Sequence, residues 1–292
     1  GDFYYSPPSG FLALCSSNLP DTTISPNKST QADDHFNTVL YTGNATDDRE
    51  VTGVGFRPDW GWFKERNNAV SHLLFDSSRG ASEQLKSDST GAESTQANKQ
   101  KTFTNDGYTL GTDGQINGSS DTYVVWNWKA NGGTTSSNSD GSKTSTVQAN
   151  TDAGFSIVLY SGDTSSFTVG HGLNSAPEWV IVKSRTHAER WAVFHTSISN
   201  QYIYLNENFA GSTGNADERF GNSSSVVVPN STVVTLGANN SDVSKNGEDY
   251  VMYCFHSVEG YSKFGSYTGN GSTDGPFVFT GFRPAWIMFK RT

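Results

Sequence analysis

Two cysteines and two methionines in 292 residues, and only 17% charged side chains, are the scarcities of this sequence; about 25% charge is usual in a soluble domain. Cys15 and Cys254 lie far apart, with no Cys-x-x-Cys or Cys/His spacing around either. That excludes a zinc knuckle and a disulfide framework and predicts two buried thiols. Positive charge is also short: Lys plus Arg number 20 against 29 Asp plus Glu, a net charge of -9. The chain therefore lacks the field that a nucleic-acid backbone or an anionic membrane would select. The longest apolar runs, 155–160 and 179–182, are far below the roughly 20 residues of a membrane-crossing helix. No heptads, nucleophile elbow, His-Glu-x-x-His, phosphate loop or EF-hand register occurs, so no enzyme motif is present and no catalytic residue is assigned.

What is abundant is small and polar. Ser, Thr, Asn and Gly number 39, 30, 24 and 30, yet aromatic residues still make up 13%, enough large apolar side chains to build a core. Short β-branched and aromatic runs bounded by Gly, Asn, Asp and Pro predict an all-β protein of tandem antiparallel β-sandwich modules, jelly-roll or lectin-like.

An internal repeat organises these runs. FNTVLYTG at 36–43 recurs as FSIVLYSG at 155–162, and PDWGWFK at 58–64 as PEWVIVK at 177–183, all offset by 119. YTLG at 108–111 meets VTLG at 234–237, and YVVWNW at 123–128 meets YVMYCF at 250–255. The offset grows between these matches, which places insertions in loops. A third copy opens at Gly265 and reaches PAWIMFK at 284–290. The expected organisation is an upstream end plus linker at 1–35, repeat one at 36–130, a flexible Gly/Ser/Asn linker at 131–154, and repeat two at 155–264. Residues 265–292 are then either the start of a third repeat or closing strands of the second.

Within the closing strand of repeat one, Val124, Trp126 and Trp128 share a face by period-2 alternation and are predicted core. The opposite face, with Asn127 and Lys129, reads as partly polar and free to vary. The stretch 81–101 reads as a loop with at most one helical turn.

The recurring Pro-x-Trp-x-x-x-Lys has a physical logic. Pro58, Pro177 and Pro284 hold the strand entrance extended, and Trp60, Trp179 and Trp286 each bury a large ring. Lys64, Lys183 and Lys290 are expected at the strand exit with their charge in water. Identical placement in every copy is what core packing predicts. Aromatic residues that do not recur are the better ligand candidates: Trp62, whose counterparts are Ile181 and Met288, and Tyr202 and Tyr204. Asp47, Asp48, Asp106, Asp113 and Asp121, beside carbonyl-rich turns, are oxygen donors of the type that binds Ca²⁺, though without a fixed spacing; no other cofactor is indicated.

The runs FNTVLYTG, GFRPDW at 55–60, FDSSRG at 75–80, DGYTLG at 106–111 and GYSKFGSYTG at 260–269 resemble repeat modules in large virion structural proteins of tailed phages, particularly marine ones. The opening FYYSPPSGFLALCSSNLP at 3–20 resembles the closing strand of a SPRY-like, lectin-type sandwich. The resemblance implies a tail-fibre, appendage or capsid-fibre role on the virion surface, with other virion subunits as partners and homo-oligomers, trimers by the habit of fibres. Low charge density and polar loops suit adhesion to a host-surface glycan, with recognition carried by the loops between Gly61 and Tyr108 and between Arg185 and Val226. The rivals are a structural spacer or decoration module without ligand, and a polysaccharide-degrading enzyme, which would need two carboxylates about 5 to 9.5 Å apart.

Overall fold

A computed structural model describes residues 28–292 together with Thr22, Ile24 and Ser25. The run 3–20, read as the end of an upstream sandwich, and Cys15 with it lie outside the described residues. The first repeat comprises β1 (Phe36–Thr42), β2 (Arg49–Val51), β3 (Trp60–Glu65), β4 (Leu73–Asp76), β5 (Gly80–Lys86), β6 (Ser94–Thr95), β7 (Gln100–Thr104), β8 (Gly107–Leu110), a one-turn helix α1 (Gly114–Asn117) and β9 (Thr122–Trp128). Then come β10 (Ser136–Asn138) and β11 (Ser145–Asn150). The second repeat holds β12 (Phe155–Ser161), β13 (Phe167–Gly170), β14 (Trp179–Ser184), β15 (Ala192–His195), β16 (Ile203–Tyr204), β17 (Val233–Leu236) and β18 (Asp249–Phe255).

The fold is all-β, built from stacked antiparallel sheets. A six-stranded sheet runs β1-β9-β3-β4-β5-β6, and a seven-stranded sheet runs β10-β11-β12-β18-β14-β15-β16. Each is backed by a small sheet, β2-β8-β7 in the first repeat and β13-β17 in the second. The registers repeat as the sequence does: Phe36 faces Trp128 and Phe155 faces Phe255, while Trp60 faces Trp128 and Trp179 faces Phe255.

Two details show why the motifs recur. Tyr41 and Tyr160 stack on Tyr123 and Tyr250 and donate to Ile116 O and Val243 O, both at 2.7 Å. The glycine that follows is required by close approach: a Cβ on Gly43 would collide with the carbonyl oxygen of Gly118, and one on Gly162 with that of Lys245.

The repeats do not hang as beads on a flexible tether. Trp60, Trp62, Leu74 and Trp128 from one large sheet share a single apolar cluster with Phe155, Ile157, Trp179, Ile181, Trp191, Tyr253 and Phe255 from the other. Equivalent faces of the two sheets thus pack on each other, with Trp60 stacked on Tyr253 at 4.4 Å between ring centroids. Separate cores lie on the outer faces, Val39, Phe63, Phe75, Tyr108 and Val125 in one repeat, Val158, Val180, Phe194, Val234 and Met252 in the other. The molecule is therefore four layers of sheet.

Several expectations need correction. Residues 131–154 are not a loose linker: β11 extends the second sheet, and polar side chains there make specific bonds. Gln148 Oε1 accepts from the amides of Asn131 and Gly133, while its amide nitrogen donates to Ser77 and Ser78. The stretch 81–101 forms β5, β6 and the start of β7, because cross-strand pairing outweighs the weak helical and turn preferences of its Ser and Gln residues. The helical turn instead follows Asp113, whose carboxylate accepts from the Gln115 amide at 2.9 Å, a cap that offsets the turn's unpaired N–H groups.

The opposite face of β9 is not free: Asn127 is fully buried, accepting from Tyr108 and donating to the Asn37 carbonyl. Lys183 is also fully buried, donating to the carbonyls of Ser184 and His187 at 2.8 and 3.3 Å; Lys64 does the same to Glu65 and Asn68. The repeat lysine thus braces the turn after its strand. Residues 265–292 are not closing strands of repeat two, for among the described residues no strand falls there and none enters the seven-stranded sheet.

Candidate functional site: a polar cavity at the repeat junction

The loop 87–93 joins β5 to β6, which pair through Glu83 with Thr95 and Gln84 with Ser94. Its residues, Ser-Asp-Ser-Thr-Gly-Ala-Glu, favour local side-chain bonds over extended pairing, and Ser89 Oγ accepts from the Gly91 amide at 3.1 Å. The second repeat holds this loop from beneath. Trp191 Nε1 donates to the carbonyls of Lys86 and Ser89 at 2.9 and 3.1 Å, and the Glu93 amide donates to the Arg185 carbonyl at 2.9 Å.

Under the loop lies a buried ionic knot. The Glu93 carboxylate takes Arg79 at 2.8 Å and Arg185 at 2.7 Å. Arg79 also pairs with the fully buried Asp76, which accepts from the Tyr253 hydroxyl at 2.6 Å. Burial works to raise the Glu93 carboxyl, but the bonds and charges of Arg185 and Arg79 outweigh it and hold it below the ordinary carboxylate range. These groups come from both repeats, so the loop is anchored only when the two are assembled.

On the loop's open side is a cavity of about 250 Å³ lined by Gln84, Lys86, Ser89, Gly91, Ala92, Ser94, Gln96 and Lys99. The lining contains no carboxylate. Lys99 Nζ donates to Gln84 Oε1 and Gln115 Oε1, both at 2.6 Å. Neither Lys86 nor Lys99 has an ion-pair partner among the described residues. Burial lowers the Lys99 ammonium from its ordinary value. Amides, hydroxyls and two ammonium groups make a surface that donates hydrogen bonds to an oxygen-rich ligand and attracts negative charge.

The aromatic ligand candidates sit elsewhere, and their rings are covered. Trp62 is in the junction core, its Nε1 bonded to His72 Nδ1 at 2.9 Å. Tyr202 and Tyr204 are brought together but locked under Arg219, which lies 4.1 Å over the Tyr202 ring. The Tyr204 hydroxyl donates to Asp242 at 2.7 Å and accepts from Arg219 at 2.8 Å. None of the three presents a face to a sugar. Trp60 and Trp179 lie in the junction core behind Pro58 and Pro177, and Trp286, after Pro284, packs partly against that core at Phe36 and Trp128.

The turn carboxylates are engaged within the protein. Asp106 accepts from the amides of Gly53 and Gly55, Asp113 caps α1, Asp121 accepts from Asn67, and Asp47 and Asp48 pair with Lys101. No group of three or more His, Cys, Asp or Glu suited to a metal occurs among the described residues.

The cavity residues do not recur between the repeats and carry no motif. The one signal that reaches them is the divergence of the Gly61–Tyr108 stretch between copies. A family model described as a domain of unknown function (DUF7483) matches residues 31–292. No curated protein and no solved structure matches the chain.

Proposed function

We propose that this chain, which belongs to the DUF7483 family, a domain of unknown function, is a segment of a virion appendage that contributes to attachment at a host-surface glycan. The observation that carries the reading is the cavity: two lysines without a described ionic partner among amides and hydroxyls, on a loop fixed by a buried junction. A site held in one shape before the ligand arrives loses little freedom on binding. Hydroxyl-rich chains bearing carboxylate, sulfate or phosphate groups match both kinds of donor. A lining without carboxylates favours binding over the depolymerase reading, which requires a pair of them.

Saturable binding of the soluble chain to intact host cells, competed by the isolated envelope polysaccharide, is the expected result. Lys99→Met should weaken it by about tenfold, the loss of one charge-assisted contact, with the fold retained. Equal binding by wild type and Lys99→Met would remove the cavity from the reading. A folded chain with no binding at all would favour a ligand-free spacer, for which the four-layer packing is also well suited.

A further inference from the structure

The hydrogen bonds inside the lining of the cavity beside Lys99 are one-sided. Gln84 Oε1 accepts from Lys99 Nζ at 2.6 Å, Ser89 Oγ from the Gly91 amide at 3.1 Å and Ser94 Oγ from Gln96 Nε2 at 3.2 Å. These bonds occupy acceptors and leave donors. The Gln84 amide N–H groups, the Ser89 and Ser94 hydroxyl protons, the third N–H of Lys99 and the Lys86 ammonium have no partner among the described residues. Gln96 Oε1 is the one side-chain amide oxygen of the lining without a donor there.

The lining also holds two like charges. Lys99 is only 4% exposed, and its ammonium is bound by neutral amide oxygens alone. Burial lowers that ammonium from its ordinary value, the Asp113 carboxylate opposes the fall and the charge of Lys86 adds to it. Lys86 is therefore near enough for the two ammonium groups to repel each other. The surrounding carboxylates are engaged elsewhere: Glu93 with Arg79 and Arg185, Glu83 with the Thr95 hydroxyl, Asp113 with the amide that it caps. Asp88, on the loop itself, is exposed and outside the lining.

On the reading that attachment runs through this cavity, we infer that its ligand is a sugar unit bearing a phosphate monoester. That group carries about 1.5 to 2 negative charges at pH 7 and three strong acceptor oxygens, which matches two ammonium groups set among unpartnered donors. A carboxylate or a sulfate ester brings a single charge and leaves one ammonium uncompensated in a partly buried site. A neutral sugar compensates neither, although a ring hydroxyl of the phosphorylated unit can donate to Gln96 Oε1. At about 250 Å³ the cavity lies just under the roughly 300 Å³ at which sites for drug-sized ligands begin. It therefore takes one substituted sugar rather than a stretch of glycan chain.

The probes are glucose 6-phosphate, glucose 6-sulfate, glucuronate and glucose, which differ only in the substituent at one carbon, each titrated into the full chain by calorimetry. Saturable binding of glucose 6-phosphate is expected, at least about tenfold tighter than that of the sulfate or the carboxylate, the effect of one further charge-assisted contact. Lys86→Met and Lys99→Met should each erase the preference for phosphate over sulfate, because one ammonium is then left. Lys101→Met should keep it, since that ammonium pairs with Asp47 and Asp48 outside the cavity. Should Lys99→Met unfold, Lys86→Met carries the test, for its ammonium has no bond to lose among the described residues. Equal affinity for the three charged sugars, or a phosphate preference that survives Lys86→Met, would overturn the inference and leave attachment through the cavity standing. Host-cell binding that Lys99→Met weakens, with no binding of glucose 6-phosphate, would do the same. Host-cell binding indifferent to Lys99→Met would remove the cavity from attachment and the phosphate assignment with it.

Discussion

At the scale of the residue, polar side chains in this protein are structural parts as often as surface. Arg79, Asp76 and Glu93 make the clearest case. Arg79→Met leaves the fully buried Asp76 without its cation, and breaking a buried pair from one side costs about 3–5 kcal/mol; chemical denaturation of the variant should show that loss. Lys183 offers a pH test. Burial pushes its ammonium from an ordinary 10.5 down to about 8. Between those values the unfolded chain binds more protons than the folded one, so the residue's contribution to stability rises with pH across that window. Below pH 8 the buried charge is a full cost. Stability of wild type relative to Lys183→Met should therefore climb by about 1–3 kcal/mol between pH 7 and 10. A flat difference would mean that Lys183 keeps an ordinary ammonium. Neither effect was legible in the sequence, where Lys183 read as a strand-exit cation with its charge in water and nothing singled out Arg79.

At the scale of the element, the strands were readable and their neighbours were not. Period-2 alternation correctly assigned Val124, Trp126 and Trp128 to one face of β9. It also read the other face as partly polar and free to vary, although Asn127 is buried there because Tyr108 and Asn37 satisfy its amide. A buried amide with partners costs little; without them it would cost several kcal/mol. The β5–β6 loop is an element whose shape depends on a distant one. Trp191→Phe keeps most of the ring's packing but removes the N–H shared by Lys86 and Ser89, a loss of about 1–2 kcal/mol. If the cavity is the binding site, the same variant should weaken ligand binding more than it lowers the melting temperature would suggest; hydrogen exchange at the amides of 87–93 should rise in parallel.

At the scale of the whole molecule, the junction between repeats makes one cooperative body of two sequence units. Trp60 touches Tyr253 and Phe155 across it, and Trp60→Ala should cost about 3–5 kcal/mol and destabilise both repeats together in a single unfolding transition. A chain of residues 36–130 alone would present Trp60, Trp62 and Trp128 to water, and light scattering should show it self-associating. Independent, soluble folding of that fragment would contradict the four-layer arrangement.

Local alternation and self-similarity along the chain are enough to reveal the β class, the repeat and the recurring tryptophans. The face-to-face stacking of the two units, the strands within 131–154, the enclosure of Trp62, Tyr202 and Tyr204 and the polar cavity beside Lys99 all rest on contacts between distant segments. Whether a Trp, a Gln or a Lys is core or surface depends on what a segment a hundred residues away brings against it, and residue type alone does not encode that distance.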